Sequence, residues 1–391
     1  MLVHDDCLNA LRYQQAHSVD LIYLDPPFFT QKKQRQRTRD NSQEFAFDDC
    51  WTSIDVYRQY IEDRLQVCYK LLKSTGSIFL HCDKTASHHL RLALDTVFGL
   101  ENFQSEIIWT FRRWSNSKKG LLNSHQVIFF YSKSPNFKFY QIYQAYSPAT
   151  NIDQIFQERV RDNRGKTVYK KNGRKSLLRC EKKGVPLSDV WDIPYLNPKA
   201  KERVGYPTQK PIELLERIIG LVTEKNDLVF DPFCGSGTTL VAASINKRRY
   251  LGMDLNREAI NLAMQRIENP IKSSSQLLRT GRDSYYNQSS EIVELLEHLG
   301  VYPVQRNKGI DGFLKDGDSI KPIPVKVQRK DESLASAKGK LLKACRNNEF
   351  ELKILISLND PANSYELQDK LHIIPISLAS PNYIHRAILQ R

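Results

Sequence analysis

The chain has few of the features that would place it outside a reducing, aqueous compartment. Its seven cysteines (Cys7, Cys50, Cys68, Cys82, Cys180, Cys234 and Cys345) are scattered through 391 residues with no CxxC pair. That spacing favours reduced thiols over a disulfide frame or a zinc site. No apolar run is long enough to span a bilayer. Met1 to Gln14 lacks the basic start, apolar run and small-residue cleavage site of a secretory signal, so a cytoplasmic location is expected. Acidic residues are in deficit as well: 44 Asp and Glu face 58 Lys and Arg, a formal charge of +14. Such an excess needs polyanionic or small counter-ions, which makes nucleic acid the leading partner and predicts association with the nucleoid.

What is present suits a globular chain. Apolar residues make up 40% and charged residues 26%, enough to bury a core. The length exceeds that of one ordinary core and predicts two folded units. Strand-like runs alternate with helix-length amphipathic stretches, the pattern of an α/β sheet with helices on both faces. Strands are predicted at Val19 to Leu24, Ser77 to His81, Glu106 to Phe111, Gln126 to Tyr131, Leu228 to Phe230 and Tyr250 to Met253. Helices are predicted over Val56 to Leu72, Ile212 to Thr223 and Thr238 to Ile245. A catalytic-type domain is assigned to residues 1–270, with a weakly periodic insert at about 103–200. Residues 271–290 read as a linker and 291–391 as a small α/β unit.

Two loops carry chemistry. Asp25, Pro26, Pro27 and Phe28 stop the apolar strand 19–24 abruptly, because two prolines forbid both further pairing and an immediate helix. The second loop, Asp231 to Thr239, follows a strand and opens a helix. Gly235 and Gly237 let the backbone approach a ligand, and Asp254 ends the next strand where a carboxylate can meet ribose hydroxyls. The loop is not GxGxxG and has no P-loop lysine, so an adenosine-containing ligand is favoured over a dinucleotide or a nucleoside triphosphate.

Both loops resemble those of S-adenosylmethionine-dependent amino-methylating DNA methyltransferases, whose motifs are Asp-Pro-Pro-aromatic and a glycine turn preceded by Asp-Pro-Phe. Tyr206 to Pro211 resembles a further segment of that family, His-Pro-Thr-Glu-Lys-Pro, with Tyr206 in place of His and Gln209 in place of Glu. The order, catalytic loop first and cofactor loop last, resembles the permuted β group over roughly residues 1–270. The resemblance implies a Rossmann-like methyltransferase sheet and S-adenosylmethionine as cofactor. It assigns Asp25, Pro26, Pro27 and Phe28 to catalysis, and Asp6, Thr208, Lys210, Asp231, Phe233, Gly235, Gly237, Thr238 and Asp254 to the cofactor.

An exocyclic amine is a poor nucleophile because its lone pair is delocalised into the ring. Hydrogen bonds to the Asp25 carboxylate and a loop carbonyl, that of Pro26, would make it more tetrahedral. Phe28 would stack on a base rotated out of the duplex. Adenine N6 is favoured over cytosine N4, since Asp at position 25 leans toward adenine. An RNA methyltransferase and a non-catalytic DNA-binding derivative are the other classes. A 5-methylcytosine enzyme is excluded, because no Pro-Cys pair supplies its nucleophile.

Double-stranded DNA is the expected partner. Lys32, Lys33, Arg35, Arg37 and Arg39 follow the catalytic loop, and Arg112, Arg113, Lys170, Lys171 and Arg174 lie in the insert, all placed to grip phosphate or read bases. A homodimer and a cognate restriction enzyme are candidate partners. His81, Cys82, Asp83, His88 and His89 show no recognised metal spacing, so no metal is expected. The C-terminal segment resembles an Mrr-type restriction-endonuclease-like domain through Asp311, Gln328 and Lys330, with Glu291 as a fourth position. Alternation would put Lys326, Gln328 and Lys330 on one strand face. A degenerate domain used for DNA contact or packing is favoured there over a working nuclease.

Overall fold

The computed structural model describes residues 1–38, 44–111, 119–144, 158–172, 175–176, 184–197, 199–273, 288–304, 307–314, 323–346, 350, 352–358 and 370–381. Arg39, Arg112, Arg113, Arg174 and most of the expected linker lie outside the described residues. The side chain of Lys171 does too. The chain divides into two compact units, Met1–Leu278 and Arg279–Arg391.

The first unit is built on one eight-stranded sheet. Its strands are β1 (Leu2–His4), β2 (Val19–Leu24), β5 (Leu72–Cys82), β6 (Phe103–Thr110), β7 (His125–Ser132), β8 (Val190–Asp192), β9 (Leu228–Asp231) and β10 (Arg249–Asp254). They lie in the order β1-β10-β9-β2-β5-β7-β6-β8. Only β7 runs against its neighbours; every other pairing is parallel. A parallel sheet is covered on both faces, so its central strands are apolar throughout. β2 shows why: Ile22 and Leu24 face one core and Leu21 and Tyr23 the other.

The first core is closed by α1 (Ile54–Leu71) and α2 (Ser87–Phe98), the second by α3 (Ile212–Val222) and α4 (Thr238–Ile245). α1 starts where Ser53 caps the Val56 amide at 3.2 Å. A fifth helix, α5 (Arg257–Glu268), follows β10, and the Asn256 side chain caps it by accepting from the Glu258 and Ala259 amides. Two short strands, β3 (Gln34–Arg37) and β4 (Glu44–Phe47), form an antiparallel ribbon just after the Asp25–Phe28 loop. Their polar, basic sequence gave no sign of it. The expected insert at about 103–200 is in part sheet: it contributes β6, β7 and β8, and its remaining described strands form two-stranded ribbons.

The second unit holds α6 (Ser290–His298), α7 (Leu334–Cys345) and a five-stranded sheet. Its strands β11 (Val301–Pro303), β12 (Gly312–Leu314), β13 (Ile323–Val327), β14 (Lys353–Ser357) and β15 (Leu371–Pro375) lie in chain order. The first two pairings are antiparallel and the last two parallel. Among the described residues no helix is long and apolar enough to cross a membrane.

Candidate active site

Strands β2, β9 and β10 are neighbours in the sheet and parallel, so their C-terminal ends open on the same edge. This puts Asp25, Asp231 and Asp254 around one cavity of about 640 Å3. Its walls include the whole 25–28 loop, Tyr206 to Lys210, Asp231 to Ser236, Thr238, Thr239 and Asp6. Two loops 206 residues apart in the chain thus meet across a single space, at the crevice where open α/β sheets bind ligands.

Asp25 accepts a hydrogen bond at Oδ2 from the buried Lys210 ammonium. Its other oxygen, Oδ1, is buried with no hydrogen-bond partner. Burial pushes the Asp25 carboxyl above its usual range, and Lys210 pulls it back. Lys210 also donates to the Thr208 carbonyl at 3.2 Å and lies 5.1 Å from the centre of the Phe28 ring. The residue expected to contact the cofactor is therefore paired with the Asp25 carboxylate.

Behind Asp25, His81 Nδ1 stands 2.7 Å from the Tyr23 hydroxyl and 3.8 Å from Asp25 Oδ1, and His81 Nε2 is 3.1 Å from Gln126. Burial first, then the Lys210 charge, pushes the imidazole far below its ordinary pKa, so His81 is neutral. Sequence reading set His81 aside as a poor metal ligand; its polar character in an otherwise apolar strand was the available signal.

The cofactor half is held by its own carboxylates. Asp254 accepts from the Gly235 and Asn256 amides, both at 2.8 Å, and fixes the glycine turn. Gly235 has φ +46°, and a Cβ there would lie 2.9 Å from the Tyr206 ring. Asp6 lines the cavity, but its two oxygens already accept from the Leu8 amide and from Arg64. Thr238 bonds to Arg266 at 3.0 Å. Gly237, expected at the cofactor, sits between the cavity-lining Ser236 and Thr238 and is not itself among the lining residues. Its φ of +74° starts α4, and a Cβ would sit 2.6 Å from that of Ala263, so it serves close helix packing.

The Asp231 carboxyl is pushed up to about 7, chiefly by burial and also by Asp25 and Asp254, against hydrogen bonds from Thr239 and the Phe233 amide. A raised folded-state pKa means the folded protein binds the extra proton, so this group's contribution to stability declines as pH rises from about 4 to about 7. A cationic ligand beside Asp231 expels that proton. Its affinity is expected to rise between pH 6 and 8, by up to about tenfold per pH unit below the pKa. Titration calorimetry at pH 6.5 in buffers of different ionisation enthalpy checks this; identical heats and a flat affinity profile would sink it.

Lys32, Lys33 and Arg35 are exposed, as is Lys170, which pairs with Glu158 at 3.2 Å; Arg37 pairs with Glu44 at 2.7 Å. Among the described residues no group of three or more His, Cys, Asp or Glu could hold a metal ion.

The C-terminal set is arranged differently from the alternation prediction. β13 stops at Val327, and the Gln328 side chain donates to the Glu332 carbonyl at 2.7 Å. Lys330 falls beyond the strand and is exposed. The buried Asp311 is met by the Val327 amide at 2.7 Å and Arg329 at 2.8 Å, with Lys326 at 3.8 Å. Gln328 Oε1 accepts from Ser357 and the Leu358 amide.

A largely parallel sheet whose edge brings an Asp-Pro-Pro-Phe loop and a glycine turn to one cavity is the arrangement expected of an amino-methyltransferase. The DNA methylase family matches residues 19–265, well over half of the chain, and the protein belongs to that family, which groups N6-adenine and N4-cytosine enzymes. It is similar to Type II methyltransferase M.HpaI of Haemophilus parainfluenzae, 27% identical over 68% of this chain and 74% of that one. It is also similar to DNA adenine methyltransferase YhdJ of Escherichia coli K12, 27% identical over 68% of this chain and 82% of the relative. Among solved structures, PvuII DNA methyltransferase (cytosine-N4-specific) covers 69% of this chain, and 87% of that chain is matched, at TM-score 0.45 and 18% identity.

Proposed function

We propose that the protein is a site-specific DNA methyltransferase that moves the methyl group of S-adenosylmethionine to the exocyclic amine of an extruded base, adenine N6 before cytosine N4. The observation that carries this reading is the shared cavity, in which the buried, unpartnered Oδ1 of Asp25 stands across from the glycine turn. An acceptor buried without a partner is costly unless a ligand supplies the donor, and an amine N–H is such a donor.

The chain's own residues fit the cofactor. Gly235 keeps the turn low against Tyr206, and Asp254 ends its strand at the cavity with lone pairs left for ribose hydroxyls. Asp231, balanced near neutrality, suits a cation. When bound, S-adenosylmethionine supplies an electrophilic methyl on a sulfonium.

Asp25 then orients the amine with the Pro26 carbonyl as second acceptor, since the Pro27 carbonyl already accepts from the Tyr57 hydroxyl at 2.6 Å. Lys210 donates to Asp25 and its charge opposes the upward push of burial, which favours the carboxylate form that accepts. Phe28 provides a face for the base, and Lys32, Lys33 and Arg35 neutralise phosphates beside it. The preference for adenine rests on Asp at position 25, and a relative of similar identity is named for adenine.

Sequencing DNA from cells that express the protein, by a method that distinguishes N6-methyladenine from N4-methylcytosine, tests the reading. A single modified motif with the methyl on adenine N6 is expected. Unmodified DNA from cells containing soluble protein would overturn it.

A further inference from the structure

The catalytic loop turns back on itself in a way its own sequence does not favour. Phe29 and Gln31 have φ of +61° and +55°, in the left-handed region that non-glycine side chains rarely adopt. Such strain persists only where surrounding structure over-determines it. The constraint is one carboxylate, that of Asp49, which is 1% exposed and 21 residues downstream of Phe28. Asp49 Oδ2 accepts from the Phe28 amide at 3.2 Å, the Thr30 amide at 2.8 Å and the Thr30 hydroxyl at 2.6 Å. Oδ1 accepts from the Phe29 amide at 2.9 Å and the Trp51 indole at 3.1 Å. The Asp49 carbonyl takes the Gln31 amide at 3.0 Å, and Gln31 exchanges side-chain hydrogen bonds with the Trp51 backbone.

We infer that Asp49 is a positioning residue for methyl transfer. Its carboxylate gathers three successive loop amides and so sets where the Phe28 ring and the carbonyls before it stand relative to Asp25. It acts through the loop and touches neither reacting group. The backbone donors it satisfies are ones the two prolines prevent from joining any strand or helix. A buried carboxylate met by five donors from four residues is a rigid anchor, and near-attack geometry depends on such anchors: a displacement of about 1 Å can cost about 10²-fold in rate. This inference rests on the methyltransferase reading given above.

Asp49→Ala and Asp49→Asn, purified as full chains, would be assayed with labelled S-adenosylmethionine on whole-genome-amplified DNA, in which adenine and cytosine amines are unmethylated. In Asp49→Ala, kcat is expected to fall about 10²-fold, while the dissociation constant for S-adenosylmethionine stays within about twofold, because the glycine turn is latched separately by Asp254. Asp49→Asn keeps one acceptor oxygen and is expected to lie between the two. Asp49→Ala with wild-type kcat overturns the inference. So does a parallel loss of kcat, cofactor affinity and melting temperature in both variants, which would mark a general structural role. Inactive wild-type protein would instead overturn the methyltransferase reading.

Discussion

Asp25→Ala is expected to lower kcat for methyl transfer by about 10²- to 10³-fold, the range seen when one preorganised polar group is removed from an active site. The variant does more than delete an acceptor. Lys210 is 4% exposed and pairs with Asp25, so the substitution strands a buried ammonium. Breaking a buried pair from one side typically costs about 3–5 kcal/mol, most of it the penalty of the charge left behind. Asp25→Ala should therefore melt several degrees below the wild type. Asp25→Ala/Lys210→Met should recover most of that stability and none of the activity, which separates the chemistry from the fold. If Asp25→Ala modified DNA at the wild-type rate, the carboxylate would have no catalytic role.

The second large effect is expected at Gly237, where the cause is packing rather than contact with the cofactor. A methyl group there would approach Ala263 Cβ to 2.6 Å and its Cα to 3.0 Å, at a φ of +74°. Neither neighbour is a flexible side-chain end that could move aside, so α4 and α5 must separate. Overpacking of this kind typically costs about 1–3 kcal/mol, and the left-handed backbone adds about as much again for a residue with a Cβ. Gly237→Ala is thus expected to lower the melting temperature and weaken S-adenosylmethionine binding about tenfold or more, because the Gly235 turn is carried by the start of α4. Calorimetric melting and a binding isotherm read both effects. An unchanged isotherm in a destabilised protein would confine Gly237 to the helix contact.

The two predictions illustrate how different kinds of information are stored. Local rules suffice for the sheet: six buried residues ending at two prolines make β2, and a strand, a glycine turn and a helix in succession make the cofactor unit. Asp25 stood out as a candidate because a lone carboxylate at the end of an apolar strand has few structural uses. The same local pattern gave no sign that Gly237 packs against Ala263, since that contact depends on a helix 20 residues further on.

Sequence alone determined the α/β class, both chemical loops and the basic surface charge, since each depends on residues that are neighbours in the chain or on composition. Tertiary structure alone decided that Lys210 serves Asp25, that Asp49 holds the catalytic loop and that Lys330 stands clear of Asp311. The first two pairings join residues 185 and 21 positions apart, and no local periodicity encodes them. They arise when the sheet order β10-β9-β2-β5 brings separate strand ends together and burial forces each charge and amide to find a partner.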